Sequence, residues 1–376
     1  MIKQKIKTVL GNSLFWQSRK KIVYVFIDKN QIEDYPDYKE RSEFYLGGSF
    51  QVIKYANNTE LFRALLQYGP HRILFSTKKI NRFILNLFFL NADYRNNPND
   101  GWVWHHALSK LFPVTPSEIT DSQTRLNHYV TTLPAFDKCL ALGTGPSLAK
   151  ARKLIGIDLY RIACNTIVKD HVLWTQLKPH FLVAGDGIYH FGHNQYAVSF
   201  RKDLKECLRL HPTLFLYPEL FHPFVKREFG KEFSHLLVPV PTGTSEKINN
   251  QLFRHFELPQ LGNILNLLLL PLATSLVKTI YLLGFDGRSP DDKLFWSNSN
   301  DHSYGEHIPD IREKHPRFFE FYIDKKDPFK YVKTHHGDAL ENNLQELEND
   351  GYTFIHLSPS YTPSFQKRFR TIFNLD

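Results

Sequence analysis

Cysteine is scarce in this 376-residue chain, which contains Cys139, Cys164 and Cys207 and no others. Their spacing matches no zinc or redox motif, and an odd number suits a reducing compartment. A scaffold held together by disulfides is therefore excluded, and we expect all three thiols to be buried as small apolar groups. At about 150 residues per domain, the length predicts roughly two to two and a half domains.

The chain also lacks an apolar run long enough to cross a membrane. Its most apolar segment, residues 264–277, contains Asn266 and Pro271 and is shorter than the roughly 20 residues that a bilayer span needs. Residues 1–7 are basic, but Gly11 and the polar residues after it interrupt the apolar stretch that a signal peptide needs. We predict a core helix at 264–277 and a cytoplasmic protein.

Several catalytic signatures are missing as well. No Gly-X-Ser-X-Gly elbow occurs, which argues against a serine hydrolase, and no histidine pair has the i, i+4 spacing of a zinc protease. Acidic and histidine residues are neighbours at 291–292, 301–302, 306–307 and 335–338, but without the spacing of a metal site. We expect no required metal and no bound cofactor.

Positive charge is in excess, because 47 Lys and Arg against 38 Asp and Glu give a net charge of +9. This excess favours anionic partners, namely nucleic acid, nucleotide phosphates, acidic sugars or an anionic membrane surface. Aromatic residues make up 14% of the chain but follow no RNA-binding motif, so we predict no nucleic-acid partner. The candidates for contact with a membrane are Lys3, Lys5, Lys7, Arg19, Lys20, Lys21, Lys367, Arg368 and Arg370.

From residue 137 onward, short β-rich runs alternate with helical stretches, a pattern that predicts parallel strands joined by helical crossovers. The fold class is therefore α/β, with a Rossmann-like, doubly wound and mostly parallel sheet of about seven strands. The predicted strands are residues 138–142, 161–164, 181–184, 213–217, 236–240, 279–283 and 353–357. The predicted helices are residues 147–154, 169–176, 200–210, 261–277 and 339–349.

The first 130 residues have a smaller β/α pattern, with strands at 21–27 and 72–76 and helices at 59–67 and 80–90. Prolines between 113 and 134 predict a domain boundary there. We therefore expect an appended N-terminal β/α domain at 1–130 and a nucleotide-sugar-binding catalytic domain at 131–376. Within the second domain, residues 285–335 form a long polar and aromatic segment that predicts a lid.

The most specific motif is a strand that runs directly into Gly143, Thr144, Gly145, Pro146 and Ser147. Glycines let a phosphate approach the backbone, Pro146 suits the first turn of a helix, and the free N–H groups there favour an anion. The motif lacks the third glycine of a dinucleotide fingerprint and the lysine of a P-loop. A nucleotide phosphate would fit this turn, and an ordinary strand-to-helix turn is the alternative.

Polar residues follow three other strands at the same edge of the predicted sheet: Asn165, Asp186 and Asp286. The carboxyl ends of parallel strands converge on one crevice, so these side chains could reach a ligand of the glycine motif. Asn165 and Asp186 could instead cap the helices that follow them.

These motifs together resemble a known group of enzymes. The residues 143–148, Ala163-Cys164-Asn165, the run 280–286, His335 before an acidic helix, and the strand that ends at 357–359 resemble, in order and spacing, bacterial sialyltransferases of the lipo-oligosaccharide type. The flagellin glycosyltransferases called motility accessory factors look similar. The resemblance covers residues 137–362.

The resemblance implies a sialyltransferase of the GT-A-like type that moves a CMP-activated nine-carbon acidic sugar with inversion and without a metal. It implies that the residues 143–147 and Asn165 hold the CMP phosphate and ribose, and that Gly262 lies near the donor sugar. His335 corresponds to the general base, and a shift of one residue would give this role to His336. A base of ordinary histidine pKa suits the deprotonation of a hydroxyl group.

The sequence departs from the resembled families at the leaving phosphate. Those families place tyrosines shortly after the strand that corresponds to 280–286, whereas here Arg288 stands two residues past Asp286. The residues that could replace the tyrosines are Arg288, Trp296, His302 and Tyr304.

The leading hypothesis is an inverting glycosyltransferase that uses a CMP-activated sialic, pseudaminic, legionaminic or Kdo-type acid. Its acceptor would be a surface glycan, a glycoprotein or a lipid-linked glycan at the cytoplasmic face of the membrane. One alternative is a phosphotransferase resembling the archaeal-type pterin pyrophosphokinase, which shares the Gly-X-Gly-Pro-Ser turn and would need magnesium and ATP. Another is a noncatalytic protein that binds nucleic acid or polysaccharide.

Overall fold

The computed structural model describes residues 23–29, 38–47, 50–60, 63, 72–75, 101–288, 300–316 and 337–375. The chain divides into two compact units, Met1–Pro113 and Val114–Asp376.

The first unit contains a three-stranded parallel sheet in the order β2-β1-β3. Its described elements are β1 (Val23–Asp28), α1 (Tyr38–Leu46), β2 (Phe50–Tyr55), β3 (Arg72–Phe75) and α2 (Gly101–Leu111). The rings of Tyr45 and Trp104 stack with their centroids 5.6 Å apart, which holds α1 against α2. Both predicted strands are confirmed, whereas the helix predicted at 80–90 lies outside the described residues.

The second unit is built on a seven-stranded sheet in the order β10-β9-β4-β5-β6-β7-β8, in which every neighbouring pair is parallel. All seven predicted strands are confirmed, and each end lies within one residue of its prediction. The observed bounds are β4 (Lys138–Leu142), β5 (Tyr160–Cys164), β6 (Phe181–Val183), β7 (Leu214–Pro218), β8 (Leu237–Val240), β9 (Thr279–Leu283) and β10 (Thr353–His356).

Both faces of this sheet are covered, which is why its central strands consist of almost continuous apolar residues. In β4, Cys139 and Ala141 belong to the apolar cluster that includes Leu268 and Ala273 of the long apolar helix. Leu140 and Leu142 alternate with them, point to the opposite face and are also fully buried. The predicted α/β fold with a Rossmann-like sheet is thus observed.

Helices flank the sheet in the second unit: α3 (Pro116–Thr132), α4 (His171–Leu177), α5 (Gln195–Leu210), α6 (His222–Phe233), α7 (Leu270–Leu276), α8 (Ile308–Lys314), α9 (Asp338–Asn349) and α10 (Pro363–Lys367). The predicted helix 147–154 is a 3-10 helix, Pro146–Leu154. The predicted helix 261–277 begins with a π-helical turn, Leu265–Leu269, which continues into α7. The prediction missed α3, α6, α8 and α10.

The domain boundary lies earlier than the sequence suggested. Thr115 caps α3, because its hydroxyl accepts a hydrogen bond from the Glu118 N–H while the Glu118 carboxylate accepts one from the Thr115 N–H. Pro116 occupies the first turn, where its missing N–H costs nothing. Gln123 and Arg125 of this helix donate to the carbonyl groups of Phe253 and Leu237. Helix α3 therefore belongs to the second unit, and the boundary falls between Pro113 and Val114 rather than at residue 130.

Part of the predicted lid packs as ordinary structure. Of the segment 285–335, the structure describes residues 285–288 and 300–316. Lys169 Nζ donates to the Ser303 carbonyl at 2.5 Å, and Tyr304 Oη donates to Asp203 Oδ2 at 2.6 Å. The Gln195 N–H donates to Asp310 Oδ2 at 2.6 Å. Residues 300–316 are thus fixed to the start of α5 and to the 3-10 helix after β5, and the remainder of the predicted lid lies outside the described residues.

No helix in the described part of the chain has the length and hydropathy to cross a membrane.

Two of the basic residues that we assigned to membrane contact form ion pairs within the protein. Arg368 is only 7% exposed and forms ion pairs with Glu341 and Glu348, while Lys367 pairs with Glu341. Arg368 is therefore excluded from the predicted membrane contact, because it is buried in an ion-pair network, whereas the contact by the exposed Lys367 and Arg370 stays a prediction. The basic residues 3–21 lie outside the described residues.

Burial makes His190 a source of pH dependence. The side chain is 4% exposed, its Nδ1 accepts a hydrogen bond from the Asp186 N–H at 3.0 Å, and desolvation lowers its pKa from 6.5 to about 3. The unfolded chain therefore binds the proton first, so stability is full above about pH 6.5 and falls as the pH drops below it. At about 1.4 kcal/mol per pH unit, the loss from this residue is about 2 kcal/mol at pH 5.

We expect His190→Asn, which keeps an acceptor near the Nδ1 position, to reduce the difference in unfolding free energy between pH 7 and pH 5 by about 2 kcal/mol. Denaturant unfolding at the two pH values measures this difference for the variant and the wild type. An unchanged difference in the variant would show that His190 does not remain neutral in the folded protein.

Candidate functional site

The candidate site lies where the direction of the sheet's connections reverses. From β4, the chain adds β5, β6, β7 and β8 on one side, and then returns to place β9 on the other side of β4. Ligands of open parallel sheets bind outside the carboxyl ends of the strands at such a switch point. We call residues 143–147 the glycine turn and residues 284–288 the Asp286 turn; these follow β4 and β9 and meet at this point.

The two turns are joined by hydrogen bonds. The N–H of Gly143 donates to the Leu283 carbonyl and that of Gly145 to the Gly284 carbonyl, both at 2.8 Å. The Gly284 N–H donates to Ser147 Oγ at 3.0 Å, and the Ser147 N–H donates to Asp286 Oδ2 at 3.1 Å. The pairing of β4 with β9 therefore continues beyond the ends of both strands.

We predicted a phosphate on the glycine turn because we expected its N–H groups to be free. These contacts contradict that reason. Pro146 has no N–H, and the N–H groups of Gly145 and Ser147 already have protein acceptors. The carboxylate of Asp286 lies where an anion would sit, because a Cβ built on Gly145 would be 2.1 Å from its Oδ2. The start of the 3-10 helix is thus occupied by a negative charge of the protein itself.

A third loop, residues 360–362 after β10, packs against the Asp286 turn. The Tyr361 N–H donates to the Asp286 carbonyl at 2.7 Å, and Ser360 Oγ donates to the Phe285 carbonyl at 2.8 Å. Gly287 has a φ of +74°, and a Cβ there would lie 2.7 Å from the Thr362 nitrogen. The loops after β4, β9 and β10 therefore form one continuous surface at the carboxyl edge of the sheet.

Asn165, after β5, combines an uncommon backbone conformation with a buried polar atom that has no partner among the described residues. Its φ of +49° lies in the left-handed region, which L-residues other than glycine adopt uncommonly and Asn more often than most. Its Oδ1 is buried and has no hydrogen-bond partner in the described part of the protein. The 3-10 helix that follows has no side-chain cap, so the capping alternative does not apply to Asn165.

Asp186, after β6, has a structural role. Its Oδ1 accepts hydrogen bonds from the N–H groups of Ile188 and Tyr189 at 2.7 and 2.8 Å, which closes the turn after the strand. The cap of the following helix α5 is Asn194, so Asp186 closes a turn rather than capping a helix as the alternative supposed.

Gly262 lies on the other side of the carboxyl edge, before the long apolar helix. A Cβ on Gly185 would be 2.7 Å from Pro218 Cδ and 3.7 Å from Ile264 Cδ1, so the helix begins beside the ends of β6 and β7. This position is about 10 Å, or two strand spacings, from the glycine turn. Asn263 adopts a φ of +57° at the helix start, and a π-helical turn follows; such turns are frequent at functional sites.

The remaining residues predicted for the site are one buried tyrosine, one half-buried arginine and two histidines outside the described residues. Tyr304 is 3% exposed and its hydroxyl is bound to Asp203, which together raise its pKa above the usual value. The prediction that Tyr304 contacts the donor phosphate is therefore corrected, because its hydroxyl is committed to α5. Arg288 is half-buried on the Asp286 turn. His335 and His336 lie outside the described residues.

Within the described ranges, no three His, Cys, Asp or Glu side chains are grouped as a metal site would require. The absence of a required metal stays a prediction.

Sequence analysis overlooked Tyr361, which is 56% exposed beside the Asp286 turn. The sequence could have indicated Tyr361, because it lies in a Ser- and Pro-rich loop, residues 358–363, that follows the last strand at the same edge of the sheet.

No family model matches the chain, and neither the curated proteins nor the solved structures contain a match to it.

The contact between the two turns leaves no room for a side chain at Gly143. A Cβ there would lie 2.3 Å from the Gly284 oxygen, a backbone atom held by the sheet. We expect Gly143→Ala to destabilise the protein by about 2 kcal/mol or more, the range of overpacked sites.

Gly305→Ala is the matched control, because a Cβ at Gly305 meets nothing within 4 Å; its effect should stay within about 0.5 kcal/mol. Denaturant midpoints measure both variants. Equal midpoints for the two would mean that the turns are not in contact in solution.

Proposed function

We propose that this chain is an inverting glycosyltransferase of the GT-A-like sialyltransferase type. It transfers an acidic sugar from a CMP-activated donor to a glycan, glycoprotein or lipid-linked acceptor at the cytoplasmic face of a membrane. The observation that carries the proposal is the convergence, at the switch point of the sheet, of the glycine turn, the strained Asn165 and the carboxylate of Asp286. The motif order from 137 to 362 supplies the reaction class.

Polarity across the site supports a nucleotide that lies along the carboxyl edge. Asp286 makes the β9 end negative, whereas the side-chain amide of Asn165 at the β5 end is neutral. A phosphate group is repelled by a carboxylate and accepts hydrogen bonds from an amide N–H. The donor phosphate therefore lies nearer Asn165 than Asp286.

The reaction is a single displacement. An imidazole nitrogen of His335 takes the proton of the acceptor hydroxyl as that oxygen forms a bond to the anomeric carbon of the donor sugar. The bond from this carbon to the phosphate oxygen breaks on the opposite face, and its electron pair leaves with CMP. Attack and departure on opposite faces invert the anomeric centre.

Asn165→Gly tests the site without disturbing the fold. Glycine adopts a φ of +49° without strain, so the variant should melt at the same or a higher temperature while it loses the amide. We expect CMP affinity, measured by titration calorimetry, to fall about tenfold, which corresponds to one lost hydrogen bond of about 1.4 kcal/mol.

Lys178→Gly is the matched control, because Lys178 has nearly the same strained φ of +48° at the opposite edge of the sheet. It should keep the wild-type affinity for CMP. Wild-type affinity in Asn165→Gly, or failure of the wild-type protein to bind CMP at all, would refute the proposed site.

His335→Ala tests the assignment of the base. Turnover should fall by about 100-fold or more with CMP binding nearly unchanged, because a general base acts mainly in the transition state. His336→Ala should have a much smaller effect. Transfer assays on variants with wild-type melting temperatures compare the two, and the reverse order of effects would assign the base to His336.

A further inference from the structure

Two groups, one on the Asp286 turn and one on the loop 360–362 beside it, are not used by the proposed reaction. One is the second carboxylate oxygen of Asp286. Oδ2 accepts the Ser147 N–H, but Oδ1 forms no hydrogen bond with any described residue, and the side chain is half-buried at the carboxyl edge. A carboxylate accepts hydrogen bonds and donates none, so Oδ1 can form a hydrogen bond only with a ligand group that carries a proton.

The other group is the ring of Tyr361. Among the described Phe, Tyr and Trp side chains, Tyr361 alone is exposed, at 56%. Its backbone is fixed, because its N–H binds the Asp286 carbonyl and the Thr362 N–H binds Ser360 Oγ at 3.0 Å. An exposed ring on a fixed backbone is a stacking surface that loses little entropy on binding.

The spacing of the strands relates this pair to Asn165. Asp286 follows β9 and Asn165 follows β5, and the order β9-β4-β5 separates them by two strand spacings, about 10 Å. This distance is comparable with the length of a nucleotide from its base to its phosphate. A nucleotide whose phosphate lies at Asn165 therefore places its base near Asp286 and Tyr361.

We propose that Asp286 and Tyr361 form a nucleobase subsite that selects a base with an exocyclic amino group. The base stacks on the Tyr361 ring, and its amino group donates to Asp286 Oδ1. Cytosine N4 presents such a donor, and carboxylates accept from it in other recognition sites. Uracil presents a carbonyl oxygen at the same position, which the carboxylate repels. This inference rests on the proposed function and adds to it the residues that choose the base.

The first test compares CMP with UMP, which differ in the base at this position. The wild-type protein should bind CMP at least tenfold more tightly than UMP in titration calorimetry. Asp286→Asn keeps an oxygen for the Ser147 N–H but offers the base both a donor and an acceptor, so the preference should fall to about threefold or less. Asp137→Asn makes the same charge change before β4, at the opposite edge of the sheet, and should keep the full preference.

The second test concerns stacking. Tyr361→Ala should weaken CMP and UMP alike by about tenfold, because stacking does not depend on the identity of the base. Tyr361→Phe, which keeps the ring, should restore the affinity. Ile372→Ala removes another exposed apolar side chain and should bind as the wild type does.

The outcomes separate the two proposals. If the wild-type protein binds neither nucleotide, the proposed function fails and the subsite fails with it. If CMP binds and Asn165→Gly weakens it, while Asp286→Asn and Tyr361→Ala change neither affinity nor preference, the subsite alone is overturned. Melting temperatures of all variants within about 2 °C of the wild type exclude misfolding as the cause.

Discussion

The close approach of two backbones at the switch point determines the rest of the site. A Cβ on Gly143 would lie 2.3 Å from the Gly284 oxygen, and a Cβ on Gly284 would lie 2.3 Å from the Gly143 oxygen. Gly284 also has a φ of +82°, which favours glycine for a second reason. Because neither turn carries a side chain at this contact, β4 and β9 stay paired beyond their last residues. The two turns therefore meet through backbone atoms alone, and the polar side chains of the site are attached to this backbone contact.

The contact between the two turns places Asp286 against the start of the 3-10 helix Pro146–Leu154, where a negative charge is favourable. The same carboxylate makes this end of the site unsuitable for phosphate. A turn rich in glycine before a helix is thus not sufficient for phosphate binding, because its N–H groups must also be free. The site is better described as a row of groups with different polarity, from the carboxylate at β9 to the amide at β5.

The seven strands of the second unit could be predicted because strands buried on both faces consist of short apolar runs, and β4 and β9 were found with their exact bounds. Helix α3 was missed because Pro113 and Pro116 were interpreted as breaks, although Thr115, Pro116 and Glu118 form a helix start. Within the site, the glycines and Asp286 were predicted as neighbours from their positions after strands. The partners of their N–H groups, the strain at Asn165 and the burial of Tyr304 depend on contacts between residues more than 100 positions apart, which local patterns do not specify.

The strain at Asn165 requires support from its surroundings, since a non-glycine residue persists in the left-handed region only when neighbouring structure holds it there. That support comes from the docked segment 300–316. Thr166 Oγ1 donates to the His302 carbonyl, and Lys169 Nζ donates to the Ser303 carbonyl, so both sides of the 3-10 helix after Asn165 are tied to this segment. The ring of Tyr304 lies beneath Lys169, and its hydroxyl is bound to Asp203 of α5. Tyr304 therefore belongs to the packing that holds the segment 300–316 against the 3-10 helix after Asn165.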